Sequence, residues 1–482
     1  MTTLPSGVSI PVASWIVEEN ARPGTLGWLI GPVPGAGHIE GYAGAVSVAQ
    51  GGEIMLHVNT GDPSFHVEAY RMGYYGGLGA RLIATSDTAA GVAQPPPVLT
   101  PGVNMVECSW PPSISVPVTA EWPPGDYLLK LVGSSGAQAY VPICLRDDTS
   151  TASFVIQNSA TTWQAYNRWG GRSLYVGPGA SSTRSRVVSF DRPYDFGWAW
   201  GAADFMGNEF PIVHAAEQLG LDVTYRTDVD LHANPALLLR NKCLLSLGHD
   251  EYWSTVMRDG ATAARDAGVN LCFLGANPVY RHIRFEDSPT GPLRHEVCYK
   301  TDFMREDPLW GVDAAEVSSN WATGPVPWPE QQLVGNQYIS DDSADDMVIV
   351  NPDSWVLDGL GLREGDKIAG LVFGEYDHYE PSLPGPRNVE LVAHTPVGES
   401  SYSDMTYYTA PSNAGVLAVG TASFVNLSWP GSKVPANVIR PPGTVAPIAP
   451  MLQRMLENVF SVLGAGPAGL THPSSPNWQQ FA

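Results

Sequence analysis

At 482 residues, 44% of them hydrophobic, the chain is long enough for two or three domains with sizeable cores. Acidic residues outnumber basic ones 48 to 26, and the formal charge of −22 argues against nucleic acid or an anionic membrane as a partner. Five cysteines (Cys108, Cys144, Cys243, Cys272 and Cys298) show no metal-type spacing, no signal-peptide pattern opens the chain, and no apolar run approaches the roughly 18 residues of a membrane helix, so a cytoplasmic protein is expected.

Residues 1 to 37, rich in Pro and Gly, read as an extended lead-in. From 38 to 148, short alternating runs are separated by Gly, Pro and Asp clusters: Ala45–Val48, Ile54–Val58, His66–Tyr70, Tyr127–Val132 and Val141–Leu145. That is the pattern of an N-terminal all-β sandwich. After a linker at Arg146–Ser150 the rhythm changes. Strands are expected at Phe154–Gln157, Asp222–Tyr225, Cys243–Leu247 and Asn270–Gly275. Helices are expected at Glu209–Leu219, Pro235–Arg240 and Trp253–Ala267. Such alternation implies a parallel α/β sheet domain over 151–465, similar in arrangement to the class I glutamine amidotransferases. Residues 290 to 400 read as a β-rich insertion, with strands at Met347–Val350 and Ile368–Phe373. Gly415–Gly420 returns as a buried strand, Ala446–Leu463 as a closing amphipathic helix, and 466–482 as a loose tail.

The segment Gly248-His249-Asp250-Glu251-Tyr252-Trp253 directly follows one of the buried strands. Ligands of open α/β sheets bind beyond the carboxyl ends of the strands. Four polar or ionisable groups there are costly without a purpose. A plainer explanation is helix capping by Asp250 or Ser254, with Glu251 favoured near the helix start. No Gly-x-Ser-x-Gly elbow, phosphate loop, dinucleotide fingerprint or His-Glu-x-x-His is present, which leaves covalent and nucleotide chemistry poorly supported. Tyr166 and Tyr194 lie in two further polar segments, 161–171 and 189–195. Taken singly, each reads as a buried tyrosine whose hydroxyl finds a partner. Taken with Glu251, they form a set of hard oxygen donors that would suit a ferric ion better than zinc.

Several segments carry a family resemblance: Ile39-Glu40-Gly41-Tyr42, Tyr70-Arg71-Met72-Gly73-Tyr74-Tyr75-Gly76-Gly77, Thr162-Trp163-Gln164-Ala165-Tyr166-Asn167, Thr227-Asp228-Val229-Asp230-Leu231 and Gly248–Trp253. Over about 38 to 463 the chain resembles the large-subunit family of N,N-dimethylformamidase. The resemblance implies a mononuclear iron amidohydrolase with the metal, as Fe3+, held by two tyrosines and one glutamate. It assigns Tyr166, Tyr194 and Glu251 to the metal, and His249 and Glu375 to catalysis beside it. On position alone, Glu375 reads equally as a solvated turn carboxylate. The family's large subunit carries a lectin-like domain ahead of its catalytic part, where this chain has a shorter β-domain, and it works with a separate small subunit.

The expected reaction is hydrolysis of a small formamide or N-substituted amide by metal-activated water, with Glu375 or His249 handling the proton. Two other readings stand beside it: a non-enzymatic protein that binds a glycan or a partner, and a cysteine-dependent amidotransferase-like hydrolase. A homo-oligomer and a small partner subunit are both left open.

Overall fold

The computed structural model describes residues 1–31, 33–425 and 449–481. Alternating runs in the first third pair into two sheets. One is ordered Ser47–Ala49, Gln138–Arg146, Gly125–Gly133, Ser64–Met72, Ala80–Thr85, with Ala89–Ala90 on its margin; the other is Ile114–Pro117, Glu53–Thr60, Ile39–Ala43. Inward residues of both, among them Ile39, Leu56, Val58, Val67, Leu129 and Leu131, form one apolar core. This is the sandwich that period-2 patterning implies.

Beyond it lies a seven-stranded sheet ordered Val223–Thr227, Phe154–Asn158, Cys243–Gly248, Asn270–Gly275, Gly415–Ala418, Ser401–Thr409, Glu390–Val397. The first five strands are parallel and the last two antiparallel. The central strands are buried along their whole length, as near-continuous apolar runs should be when both faces are covered. Helices Phe210–Gln218, Thr255–Asp266 and Pro450–Leu463 connect or cover the strands. Strand Glu390–Val397 falls within the β-rich insertion expected over 290–400, but it extends the main sheet together with Ser401–Thr409. A further sheet combines Val187–Ser189, Gly291–Val297, Arg281–Ser288, Tyr252–Ser254 and Ser319–Asn320.

Other expectations shift. The lead-in is not wholly extended: Ser14–Asn20 is a helix, and Ile10 and Ile16 enter the main core. The tail is not loose. Asn477 bonds Leu391 in both directions, Tyr407 donates to the His472 carbonyl, and Trp478 and Phe481 pack on the second core. The start of the closing helix expected at Ala446 falls outside the described residues; Pro450–Leu463 is helical. Among the described residues no helix is long and apolar enough to cross a membrane.

Two of the sequence segments noted above join the layers. Arg71, on sandwich strand Ser64–Met72, meets Glu217 of helix Phe210–Gln218 through two hydrogen bonds of 2.8 and 2.5 Å, with both side chains 0% exposed. Tyr225 and Asn20 donate to the same carboxylate, and Tyr75 bridges Arg71 to Glu19. A Cβ at Gly73 would lie 2.2 Å from Glu217 Oε2, so a side chain there would displace the carboxylate from this pair. Asp230 closes a capping box with Thr227 and also receives Ser47 Oγ (2.7 Å) and Arg146 from the sandwich. We expect Arg71→Met to destabilise the protein by about 3–5 kcal/mol, because it strands a buried carboxylate. Replacing both partners with apolar residues should recover much of the loss. A single variant within about 1 kcal/mol of wild type in denaturant unfolding would show that Glu217 is otherwise compensated.

Candidate active site

Cys243–Gly248 and Asn270–Gly275 run in register, and both end in glycine. Gly248 has φ +57°, and a Cβ on Gly275 would lie 2.0 Å from the Gly248 carbonyl oxygen. This close approach lets the chain turn sharply off the sheet. Asp250 then points back and is anchored: it accepts from Gln157 Nε2, Ser246 Oγ and Trp253 Nε1, each at 2.8 Å. Burial pushes its carboxyl up to about 6. Ser254, not Asp250, caps helix Thr255–Asp266. Capping therefore explains Ser254 but not His249 or Glu251.

Glu251 is 1% exposed and sits among polar groups. Tyr166 donates to its Oε2 at 2.7 Å, and Tyr175 lies 2.9 Å from each oxygen. The two phenol oxygens are 2.8 Å apart, so they and Glu251 Oε2 make a nearly equilateral triangle. Tyr252 donates to Tyr175 at 2.8 Å, and Arg281 Nε donates to Glu251 Oε1 at 2.9 Å. Burial opposes the Glu251 charge, but the His249 contact and the Arg281 charge win and hold its carboxyl well below the usual range. Burial, and then the Glu251 charge, push the phenols of Tyr166 and Tyr175 well above theirs. Both phenols are therefore protonated donors unless a cation draws off their protons.

His249 Nε2 lies 3.3 Å from Glu251 Oε2 and 3.2 Å from Glu375 Oε2, while its Nδ1 faces Asp204 at 3.7 Å. Burial works against the imidazolium, yet the charges of Glu375, Asp204 and Glu251 raise its pKa well above the ordinary value. Glu375 stands in a tight turn with Gly374 at φ +76°. It is 19% exposed rather than solvated, and burial pushes its carboxyl up to about 7. Asn277 Nδ2 lies 3.3 Å from its other oxygen. Asn277 and Val279 both hold positive φ, a strained pairing of a kind that clusters at functional sites.

Tyr166, His249, Glu251 and Glu375 are thus brought together, and Tyr194 is not. Tyr194 packs edge-on against Trp163 at 6.3 Å and shares a small void with Arg192, Phe190 and Arg294. Its segment is held by hydrogen bonds from Asn167 Nδ2 to Pro193 O and from Asp195 N to Asn167 Oδ1. Tyr175 takes the place beside Glu251. Nothing periodic links Tyr175 to Tyr166, but a signal exists. Gly170 and Gly171, both at positive φ, reverse the chain so that Leu174 N bonds Ala165 O and the two rings stack at 4.2 Å. Asp204, Asn277 and Arg281 also escape sequence reading, since each arrives from a distant segment.

Among the described residues no group of three or more His, Cys, Asp and Glu is arranged to hold a metal. The phenols are what make a metal reading available. Two phenols and a carboxylate are hard donors. Oxygen spacings of 2.7–2.9 Å match those of adjacent ligands about a small cation with bonds of about 2.0 Å. The residues present fit such an ion.

Residues 66–428 match the family model described as N,N-dimethylformamidase beta subunit-like, C-terminal, a span of more than half the chain that includes every residue of the Glu251 cluster. No curated protein matches. Two solved structures are weakly similar. A chimeric titin Z1Z2 tandem is 18% identical, with 23% of this chain and 50% of that chain covered and a TM-score of 0.13. A Paenibacillus sp. cycloisomaltooligosaccharide glucanotransferase complexed with cycloisomaltoheptaose is 9% identical, with 52% and 57% covered and a TM-score of 0.18. The chain spans half the length of the first and 57% of the second, and at these scores neither likeness bears on fold or function.

The turn at Gly248 gives a direct test of how the cluster is positioned. An added Cβ would meet Asn208 O at 2.4 Å, on top of a left-handed backbone that costs about 1–2 kcal/mol for other residues. Gly248→Ala should therefore lower unfolding stability by more than about 1 kcal/mol. An unchanged midpoint would show that the loop relaxes freely.

Proposed function

The chain belongs to the N,N-dimethylformamidase beta subunit-like family, and on that premise we propose that it is an iron-dependent amidohydrolase cleaving a small formamide or N-substituted amide. The observation that carries this reading is the triangle of Tyr166, Tyr175 and Glu251 oxygens beside His249 and Glu375. We assign the metal to those three oxygens, with Tyr175 in the role expected of Tyr194. Arg281 places positive charge beside this otherwise anionic set, on the carboxylate, while Lys300 Nζ lies 2.9 Å from the Tyr175 ring centre with its pKa held well below the ordinary value by burial and by the Arg281 charge.

Iron held there, as Fe3+, supplies a Lewis acid for the amide oxygen and lowers the pKa of water. The protein's own groups handle the protons. Glu375, with its carboxyl pushed up to about 7 by burial, is suited to taking a proton from the attacking water near neutrality and giving it to the departing amine. His249 Nε2 touches both Glu375 and Glu251 and orients the first against the second. Arg281 keeps Glu251 ionised as a ligand, and Asn320 Oδ1 accepts from the Arg281 guanidinium.

A parallel sheet like that of the class I glutamine amidotransferases remains our description of the α/β part, without their cysteine chemistry. All five cysteines are free and buried. Burial pushes the thiols of Cys243 and Cys272 up, away from the reactive thiolate. The family's description as a beta subunit favours a separate partner subunit over a chain that works alone.

Purified protein should contain about one iron per chain and show a phenolate-to-metal absorption band. Tyr175→Phe should shift or abolish the band and lower metal content, whereas Tyr194→Phe should leave both unchanged. The reverse pattern would restore Tyr194 as the ligand. Glu251→Ala should lose metal and amide hydrolysis together. His249→Ala should keep the metal and lose at least about tenfold in kcat, the lower end expected when a residue that orients a catalytic group is removed. Equal metal loss in both variants would mean that His249 is itself a ligand.

A further inference from the structure

One cavity stands apart from the Glu251 cluster, and no residue of that cluster lines it. It has a volume of about 420 Å3 and lies at one end of the sandwich, between the Ser47–Ala49 edge and strand Glu53–Thr60. That size is within the range of about 300–1,000 Å3 typical of small-molecule sites. Its apolar wall comes from Val48, Ile54, Met55, Ile143 and the Trp110 indole. Its polar wall has an unusual property: every side-chain donor on it is spent, and the acceptors remain.

Trp110 Nε1 donates to Pro95 O at 2.8 Å, so the indole offers the cavity no N–H. His57 Nδ1 lies 2.6 Å from Trp110 O, and a carbonyl can only accept, so that nitrogen carries the proton. Burial lowers the His57 pKa, which keeps the ring neutral and leaves Nε2 a bare acceptor. Tyr42 stacks on the ring at 4.6 Å, within 3° of parallel, and fixes its plane. Thr290, on the rim, spends its hydroxyl proton on Asp191 Oδ2 at 2.5 Å and presents only lone pairs. Glu53, exposed at the mouth, has no ion-pair or hydrogen-bond partner among the described side chains.

We propose that this cavity binds a small alkylammonium ion, with its N–H donors toward His57 Nε2, Thr290 Oγ1 and the Glu53 carboxylate and its alkyl part against Ile54, Met55 and Trp110. Three acceptors, one of them anionic, give an acidic or acceptor-only ligand no side-chain donor to meet. A neutral alcohol offers a single donor and no charge. The protein's overall charge of −22 further favours cations over anions near its surface.

The test is calorimetric titration of the full chain with n-butylammonium chloride, and with n-butanol as the neutral counterpart of equal length. Butylammonium should bind on the order of millimolar, as a ligand of so few atoms allows, with butanol at least about tenfold weaker. Glu53→Gln, a change at an exposed residue, should weaken the ammonium about tenfold while leaving butanol unaffected. Gly44→Leu should abolish binding of both by filling the cavity. Gly44 has no positive φ, and a Cβ there meets nothing closer than Met55 Cβ at 3.6 Å, so the fold accepts a side chain. Equal affinity for the two ligands, unchanged ammonium binding in Glu53→Gln or in a folded Gly44→Leu, or no binding at all would overturn the proposal.

Discussion

A carboxylate at 1% exposure cannot stand alone, and much of the α/β half of this protein is arranged around that fact at Glu251. Five side chains converge on its two oxygens: Tyr166, Tyr175, Arg281 and His249 directly, and Tyr252 through Tyr175. They come from a helix, a loop, two strands and a strand-end turn. The backbone contributes as well, with Glu251 N donating to Thr162 Oγ1 at 3.0 Å. Such convergence limits how far each element can move, because any shift leaves a buried charge less well compensated.

The same requirement explains why the sandwich is not a detachable appendage. The Arg71–Glu217 pair is wholly buried where strand Ser64–Met72 meets helix Phe210–Gln218, and Asp230 ties Ser47 and Arg146 to the capped turn after Val223–Thr227. That turn adjoins Thr161, whose hydroxyl bonds both Asp228 and the Tyr252 carbonyl. Contacts at the layer boundary therefore lead within a few residues to the loop that carries Glu251. Trp169, just beyond the Tyr166 helix, donates to Glu40 of the sandwich at 2.7 Å and extends the connection on the other side.

Legibility in the sequence follows the range of the forces involved. Cys243–Gly248, Asn270–Gly275 and Phe154–Asn158 were readable because a strand covered on both faces must be apolar throughout, which is a local property. The helix ending before Gly220 was readable for a similar reason, glycine at φ +66° being a cheap stop. Strand Glu390–Val397 is not assignable to the main sheet from sequence, because an antiparallel hairpin looks the same whether it forms its own sheet or joins the edge of another. The tail looked loose because its Ser, Pro and Asn composition resembles a linker. Those same side chains turn out to cap strand ends at Asn388, Thr409 and Leu391.

The sequence by itself determined the order of a sandwich and an α/β sheet, and the position of His249 and Glu251 at a strand end. Periodicity and chain order suffice for both. Only the tertiary structure decided which tyrosine stands with Tyr166, that Glu375 is drawn in to 3.2 Å from His249, and that Arg281 neutralises the carboxylate. Each of those contacts joins residues separated by turns whose direction depends on packing. Tyr194, nearer in motif character, packs edge-on against Trp163 instead, while Tyr175 is returned to Tyr166 by two glycines whose left-handed backbone reverses the chain.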